Sequence, residues 1–232
     1  LHGFFHLIPW KVETYGADAF TSWLTMVQKV DQNHSVYRYL PHELTIRLRY
    51  TLDQDGLHQQ VSIKNEGKDT MPCLLAFHTA FNVPFAQGSS PEAYRFRVTI
   101  GQRWEMSERM LPSGRFQPLL AEEEQMKTDG ISPFFAAMDN HYTAAPQNGR
   151  NRMELTDAEQ NVTLVYDVGT AYQNWMIWNN HASGGFFCAE PQINLVNAPN
   201  VSLPAEKSGL LSLAPGELWE ETSRLYCLYN KV

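Results

Sequence analysis

Two polar groups stand where their neighbours are apolar, and burying such groups costs free energy unless they are paired or put to use. His78 lies in Phe77-His78-Thr79-Ala80-Phe81-Asn82-Val83-Pro84-Phe85, and Glu190 lies in Gly184-Gly185-Phe186-Phe187-Cys188-Ala189-Glu190-Pro191-Gln192. With ordinary pKa values of about 6.5 and about 4.3, an imidazole and a carboxylate can hold opposite protonation states near neutrality after modest shifts. Such a pair takes a proton from one atom of a substrate and gives one to another. Singly, each has a plainer reading: a lone histidine is more often a satisfied core group, and a strand-end glutamate is most often solvated. Pro191 cannot donate to a ladder and biases Glu190 toward an extended conformation. The spacing therefore predicts that the strand ends at Glu190, with the carboxylate at the rim.

Other polar clusters carry less. In Met138-Asp139-Asn140-His141-Tyr142, Asp139 has the composition of a turn cap as well as of a ligand-binding carboxylate. His2 and His6 are four apart, a helical metal spacing, but Pro9 and the surrounding aromatic residues argue against a helix, so no metal is expected there. Cys73, Cys188 and Cys227 show no CxxC pairing, which suggests neither a disulfide framework nor a zinc site and fits a reducing cytoplasm.

Such residues need a scaffold, and the sequence reads as β structure. His42 to Leu52 alternates Leu44, Ile46, Leu48, Tyr50 and Leu52 against polar residues, Asp53 to Gly56 offers a hairpin turn, and Leu57 to Asn65 returns. Met71 to Phe85 is predicted as one long buried strand. Tyr94 to Ile100, Arg152 to Leu155, Asn161 to Val168, Trp175 to Asn179, Phe186 to Glu190 and Ser223 to Tyr229 are further strands, at the intervals of sandwiches and barrels. Ala17 to Val27 is also read as strand, and Pro118 to Met126 as a short helix. No linker or repeat divides the 232 residues, so one domain is expected. Eighteen basic against 25 acidic residues, a net charge of −7, disfavour nucleic acid and anionic membranes as partners. No apolar run approaches the ~18 residues of a membrane-spanning helix.

Taken together, the segments resemble the aldose 1-epimerase (galactose mutarotase-like) family. The matching pieces are His2-Gly3-Phe4 followed by Pro9-Trp10, His78 with Phe81-Asn82, Asp139 with His141, Cys188-Ala189-Glu190-Pro191-Gln192 followed by Asn197-Ala198-Pro199-Asn200, and Leu213-Ala214-Pro215-Gly216-Glu217. They stand in family order over nearly the whole chain. The resemblance implies an all-β fold, a large antiparallel β-sandwich with a sugar site on one concave face. It also implies interconversion of the α and β anomers of a free aldohexose without metal or other cofactor. Glu190 matches the family's general base and His78 its general acid, while His2, Asp139 and Asn82 fall at substrate-binding positions. Trp175, Trp178, Phe186 and Tyr142 are candidates for aromatic faces against sugar C–H groups, with core filling the commoner role.

Two departures accompany the match. Family members carry a further N-terminal portion with a substrate-binding arginine that has no counterpart here, and an aromatic residue is more usual where this chain has Ala80. The first implies either upstream sequence or a second copy of the chain, as a homodimer, covering an open sheet edge. The alternatives to an epimerase are a non-catalytic carbohydrate-binding protein of the same fold, a hexose-phosphate mutarotase, which needs Arg or Lys at the pocket mouth, and, further off, a glycoside hydrolase with Asp139 as second carboxylate.

Overall fold

Alternating apolar residues become strands wherever a neighbour accepts their apolar face, and the computed structural model, which describes residues 2–229, consists mainly of them. In chain order the strands are β1 (Lys11–Ala17), β2 (Ser22–Val30), β3 (Leu44–Asp53), β4 (Gly56–Asn65), β5 (Met71–Cys73), β6 (Ala80–Val83), β7 (Tyr94–Val98) and β8 (Ile100–Met106). There follow β9 (Pro112–Gln117), β10 (Asp139–Ala144), β11 (Arg152–Asp157), β12 (Val162–Asp167), β13 (Asn174–Trp178), β14 (Gly185–Gln192), β15 (Leu211–Leu213) and β16 (Leu218–Tyr229). Two short helices, α1 (Ala121–Lys127) and α2 (Ala205–Ser208), interrupt them. The chain divides into two compact units, one holding the residues up to Cys73 with Ser212–Arg224, the other Leu74–Leu211 with the final strand residues.

In the first unit, β1, β2, β3 and β4 form consecutive antiparallel neighbours. The hairpin read from the sequence is present: Asp53 faces Gly56, and the Asp53 carboxylate accepts the Asp55 N–H at 2.8 Å. Gln59, a polar residue on the side of its strand that carries Val61 and Ile63, stands opposite Tyr50 and donates to its hydroxyl at 2.9 Å. The segment read as one strand over Ala17 to Val27 begins as a turn. The Asp18 carboxylate accepts the N–H groups of both Phe20 and Thr21 and starts the return into β2.

The second unit contains a six-stranded antiparallel sheet in the order β6-β14-β13-β10-β8-β9 and a second array in which β11 lies between β12 and β7. One face of the six-stranded sheet presents Phe81, Phe187, Ile177, Trp175 and Tyr142, all buried. Against it come Phe96 of β7, whose ring centroid is 5.1 Å from that of Phe187, and Tyr166 of β12, 5.6 Å from Phe81. Each such side chain contributes about 1.5–3 kcal/mol by leaving water, so this apolar layer fixes which face of β14 turns inward. α1 lies nearly where the sequence predicts a helix, but its Glu123 is buried rather than solvated. Glu123 Oε1 accepts from the Tyr142 hydroxyl at 2.6 Å and from Arg103 at 2.9 Å, which compensates the buried charge.

Two strand expectations are corrected. Met71 to Phe85 is not one strand: β5 ends at Cys73 and β6 starts at Ala80, with an irregular extended stretch between. Nor does β14 stop at Glu190, which is followed by Pro191 and Gln192 inside the strand. The main-chain oxygen of Pro191 accepts the Phe77 N–H at 3.2 Å, so the polar edge of Pro191 faces the Leu74–Thr79 stretch and not β13. Its missing N–H thus interrupts the ladder on the irregular side. On the other side, pairing with β13 continues through Trp175 and Asn174. Glu190 is consequently a mid-strand residue.

Asn179, fully buried after β13, uses its whole amide. Its oxygen accepts from the N–H groups of Met138 (2.9 Å) and Ala182 (3.1 Å), and its nitrogen donates to the carbonyls of Pro133 (3.0 Å) and Ala136 (2.7 Å). It thereby ties the loop before β10 to the loop after β13. An Asn179→Ala variant strands these partners at about 1–3 kcal/mol for each one left buried and unsatisfied. Urea denaturation should show a loss of at least that size, while Asn200→Ala, on an exposed turn, should change stability by less than about 0.5 kcal/mol.

Candidate active site

The register between β6 and β14 decides what meets what. Val83 faces Gly185, Asn82 faces Phe186, Phe81 faces Phe187 and Ala80 faces Cys188. The same register persists through the irregular stretch, because Ala189 donates to the Thr79 carbonyl, Phe77 to that of Pro191, and Ala76 bridges Gln192. His78 therefore stands opposite Glu190, and its Nε2 lies 3.2 Å from Glu190 Oε1. On the far side of β14, Glu190 pairs with Met176 of β13, which pairs in turn with His141 of β10. One row of side chains, His78, Glu190, Met176 and His141, thus crosses four neighbouring stretches of chain on the face away from the apolar layer. The adjacent row is Ala80, Cys188, Trp178 and Asp139.

Of the residues read from the sequence, the structure brings His78, Glu190, Asp139 and Asn82 onto this one face. Asn82 is exposed opposite Phe186, and Asp139 is diagonal to Glu190. His2 belongs to the first unit, where its ring meets that of His6 edge to face at 5.9 Å within a turn and not a helix. Trp178 and Phe186 line the same face and touch each other at 5.7 Å between centroids, with Trp178 6.3 Å from the His78 ring. Trp175 and Tyr142, the other two aromatic candidates, point the opposite way and are core residues. The sequence reading passed over His181, and took Cys188 and Gln192 only as parts of a motif. Counting by twos from Glu190 along β14 finds Cys188 and Gln192, whereas nothing local in the sequence marks His181.

The electrostatics of the face are unusual. The Glu190 side chain is only 8% exposed, and burial pushes its carboxyl up to about 8, the charge of Asp139 adding in the same direction. Across the gap, the His78 side chain is 44% exposed. No hydrogen-bond donor among the described residues is aligned on Glu190 Oε1, which leaves a buried acceptor available to a hydroxyl brought in from outside. Asp139 is also raised, by desolvation first, with attraction to His181 opposing it. His141 is pushed down to about 4 by burial, against a smaller opposing contribution from Gln192, so it is neutral at physiological pH. A cavity of about 510 Å³ lined by Gln102, Phe116, Thr143, Tyr172, Gln173 and Lys207 lies elsewhere in this unit and includes none of the residues named from the sequence.

An almost wholly β chain with large antiparallel sheets has the galactose mutarotase-like fold. The family model for aldose 1-epimerase matches residues 1–226, and the chain belongs to that family. It is similar to a galactose mutarotase-like protein from Clostridium acetobutylicum, at 29% identity and a TM-score of 0.93 over 99% of this chain and 69% of that one. A galactose mutarotase-like protein from Lactobacillus casei shares the fold at 19% identity and a TM-score of 0.70, over 94% of this chain and 73% of that one.

The lowered pKa of His141 has a consequence for stability. A group depressed in the folded state stabilises it fully above its unfolded value, and that stability is lost as pH falls from about 6.5 through about 4. Chemical denaturation over this interval should show stability falling by up to one proton's linkage, and a His141→Gln variant should lose that part of the slope.

Proposed function

We propose that this chain is an aldose 1-epimerase acting on a free aldohexose, with Glu190 as base and His78 as acid. The observation that carries the reading is the apposition of these two groups, 3.2 Å apart, on an open sheet face. In the forward direction the Glu190 carboxylate takes the proton from the anomeric hydroxyl. The electron pair left on that oxygen forms the aldehyde C=O as the bond from C1 to the ring oxygen breaks, and His78 protonates the departing ring oxygen. Rotation about the C1–C2 bond presents the other face of the aldehyde. The ring hydroxyl then attacks C1, returning its proton to His78, while the new anomeric oxygen recovers a proton from Glu190. Both groups end as they began, and the product is the other anomer.

The neighbouring residues suit a neutral polyol. Asp139 and Asn82 offer hydrogen-bonding groups to ring hydroxyls, and the Trp178–Phe186 pair offers an apolar wall to C–H groups. The two rows contain no Lys or Arg among the described residues, and Arg103 is engaged by Glu123 and Asn140. A sugar phosphate calls for a cation, so the unphosphorylated hexose is favoured.

Glu190 must be ionised to accept a proton. Since its carboxyl is raised to about 8, the need for an ionised Glu190 gives kcat/KM a limb that rises with pH up to about 8. Asp139→Asn removes the like charge and should move this limb to lower pH while weakening substrate binding. Glu190→Gln should lower the rate by ~10²–10⁴-fold with little change in affinity, and His78→Asn should do the same. NMR exchange between α and β anomers of glucose and galactose measures all of these, and wild-type exchange in pure Glu190→Gln protein would end the assignment. The same raised carboxyl stabilises the fold below about 4.5, a contribution lost as pH rises through about 8. Glu190→Gln should therefore be more stable than the parent above pH 8, which thermal melts would show.

A further inference from the structure

His78, Glu190 and Cys188 come together on one face of β14 and its neighbour. Cys188 and Glu190 are alternate residues of β14 and point to the same face, and His78 arrives opposite Glu190 by register. One ligand atom from each, an imidazole nitrogen, a sulfur and a carboxylate oxygen, fits within a span of 4.8 Å. In a tetrahedral zinc site, Zn–N and Zn–O bonds of about 2.0–2.1 Å place those two atoms roughly 3.3 Å apart, and a Zn–S bond of about 2.3 Å places sulfur roughly 3.6 Å from each. The observed 3.2 Å between His78 Nε2 and Glu190 Oε1 already matches the first edge. The sulfur edges need to close by no more than about 1.2 Å, within reach of a side-chain torsion.

The donor set is chemically coherent. A dication would compensate the charges of a thiolate and a carboxylate held side by side in a buried position. Thiolate with imidazole selects zinc-like, borderline-soft ions over magnesium or calcium. Three protein ligands leave the fourth position open, on the side where His78 reaches solvent.

We propose that His78, Cys188 and Glu190 form a three-ligand site for a zinc-like divalent cation, and that the bound ion silences the site by occupying the acid and the base together. On binding, the Cys188 thiol proton and any proton on Glu190 pass to solvent, and the ion is held by a thiolate, a carboxylate and a neutral imidazole. The binding half of this proposal is independent of the enzymatic reading, and the silencing half rests on it. Cys188 takes no part in the proton transfers described above, so it can be changed without removing either group.

Cobalt(II) is the probe, because a cobalt–thiolate bond gives a near-ultraviolet charge-transfer band whether or not the protein turns over sugar. Titration of chelator-treated protein with cobalt chloride should produce this band with one ion per chain and intense visible bands of tetrahedral cobalt. Zinc chloride should displace it. Cys188→Ser and Cys188→Ala should abolish the band and weaken cobalt binding at least tenfold, with circular dichroism checking that both variants are folded; Cys227→Ser should retain it. In anomer exchange, zinc should inhibit the parent at least tenfold more strongly than either Cys188 variant. Absence of the band in the parent, or its persistence in both Cys188 variants, overturns the site. A band with equal zinc inhibition in parent and variants overturns the silencing. A band in a protein without exchange activity upholds the site while refuting the epimerase reading on which silencing rests.

Discussion

The chemistry on this face depends on a main-chain register. From Val83 opposite Gly185 to Ala76 opposite Gln192, the chain keeps step with β14 even where it stops being a regular strand. Only that persistence sets His78 against Glu190. The register is pinned at one end by Phe81 and Phe187, which alternate with the site residues and are buried in the apolar layer. A slip of one residue would put Glu190 into that layer and Phe187 into solvent, so the packing that stabilises the unit also enforces the site geometry.

Glu190 shows the conflict between stability and use. Burial pushes its carboxyl to about 8, so the ionised form that the proposed reaction calls for is the form the fold tolerates least. The neighbouring charge of Asp139 sharpens that conflict. A carboxyl poised close to physiological pH has little thermodynamic bias for proton transfer in either direction, which suits the reversible isomerisation proposed above.

Much of this was legible in the sequence. Alternation revealed β3 and β4, and short β-favouring runs between turns revealed β11, β12 and β13. His78 and Glu190 were found from an imidazole and a carboxylate set in apolar company, Asp139 from a polar cluster, and the three share one face. What failed has local causes. Met71 to Phe85 is mostly apolar, and such a run does not show where a ladder breaks. Pro191 was read as a terminator, but the effect of a proline depends on which neighbour its missing N–H faces, and a single chain does not display that. β10 was missed because Asp139, Asn140 and His141 are polar on both sides of the strand: the inward Asn140 serves Arg103 and the Tyr142 hydroxyl. Cys188 and His78 are brought together by pairing between distant segments, which spacing cannot show.

The loop after β13 carries three successive non-glycine residues, Asn180, His181 and Ala182, at φ of 49°, 57° and 58°. Each left-handed residue of this kind costs an L-amino acid about 1–2 kcal/mol, with asparagine the least penalised. The sequence of the loop would relax to something else if left alone. Its shape is dictated from outside, by the buried Asn179 amide and the carbonyls of Pro133 and Ala136 that it grips. The loop between β13 and β14 is therefore not a portable module. Grafted onto another scaffold it would lose its form, whereas a different sequence inserted here, if it kept Asn179 and admitted the same dihedral angles, would inherit the curve that carries His181 toward Asp139.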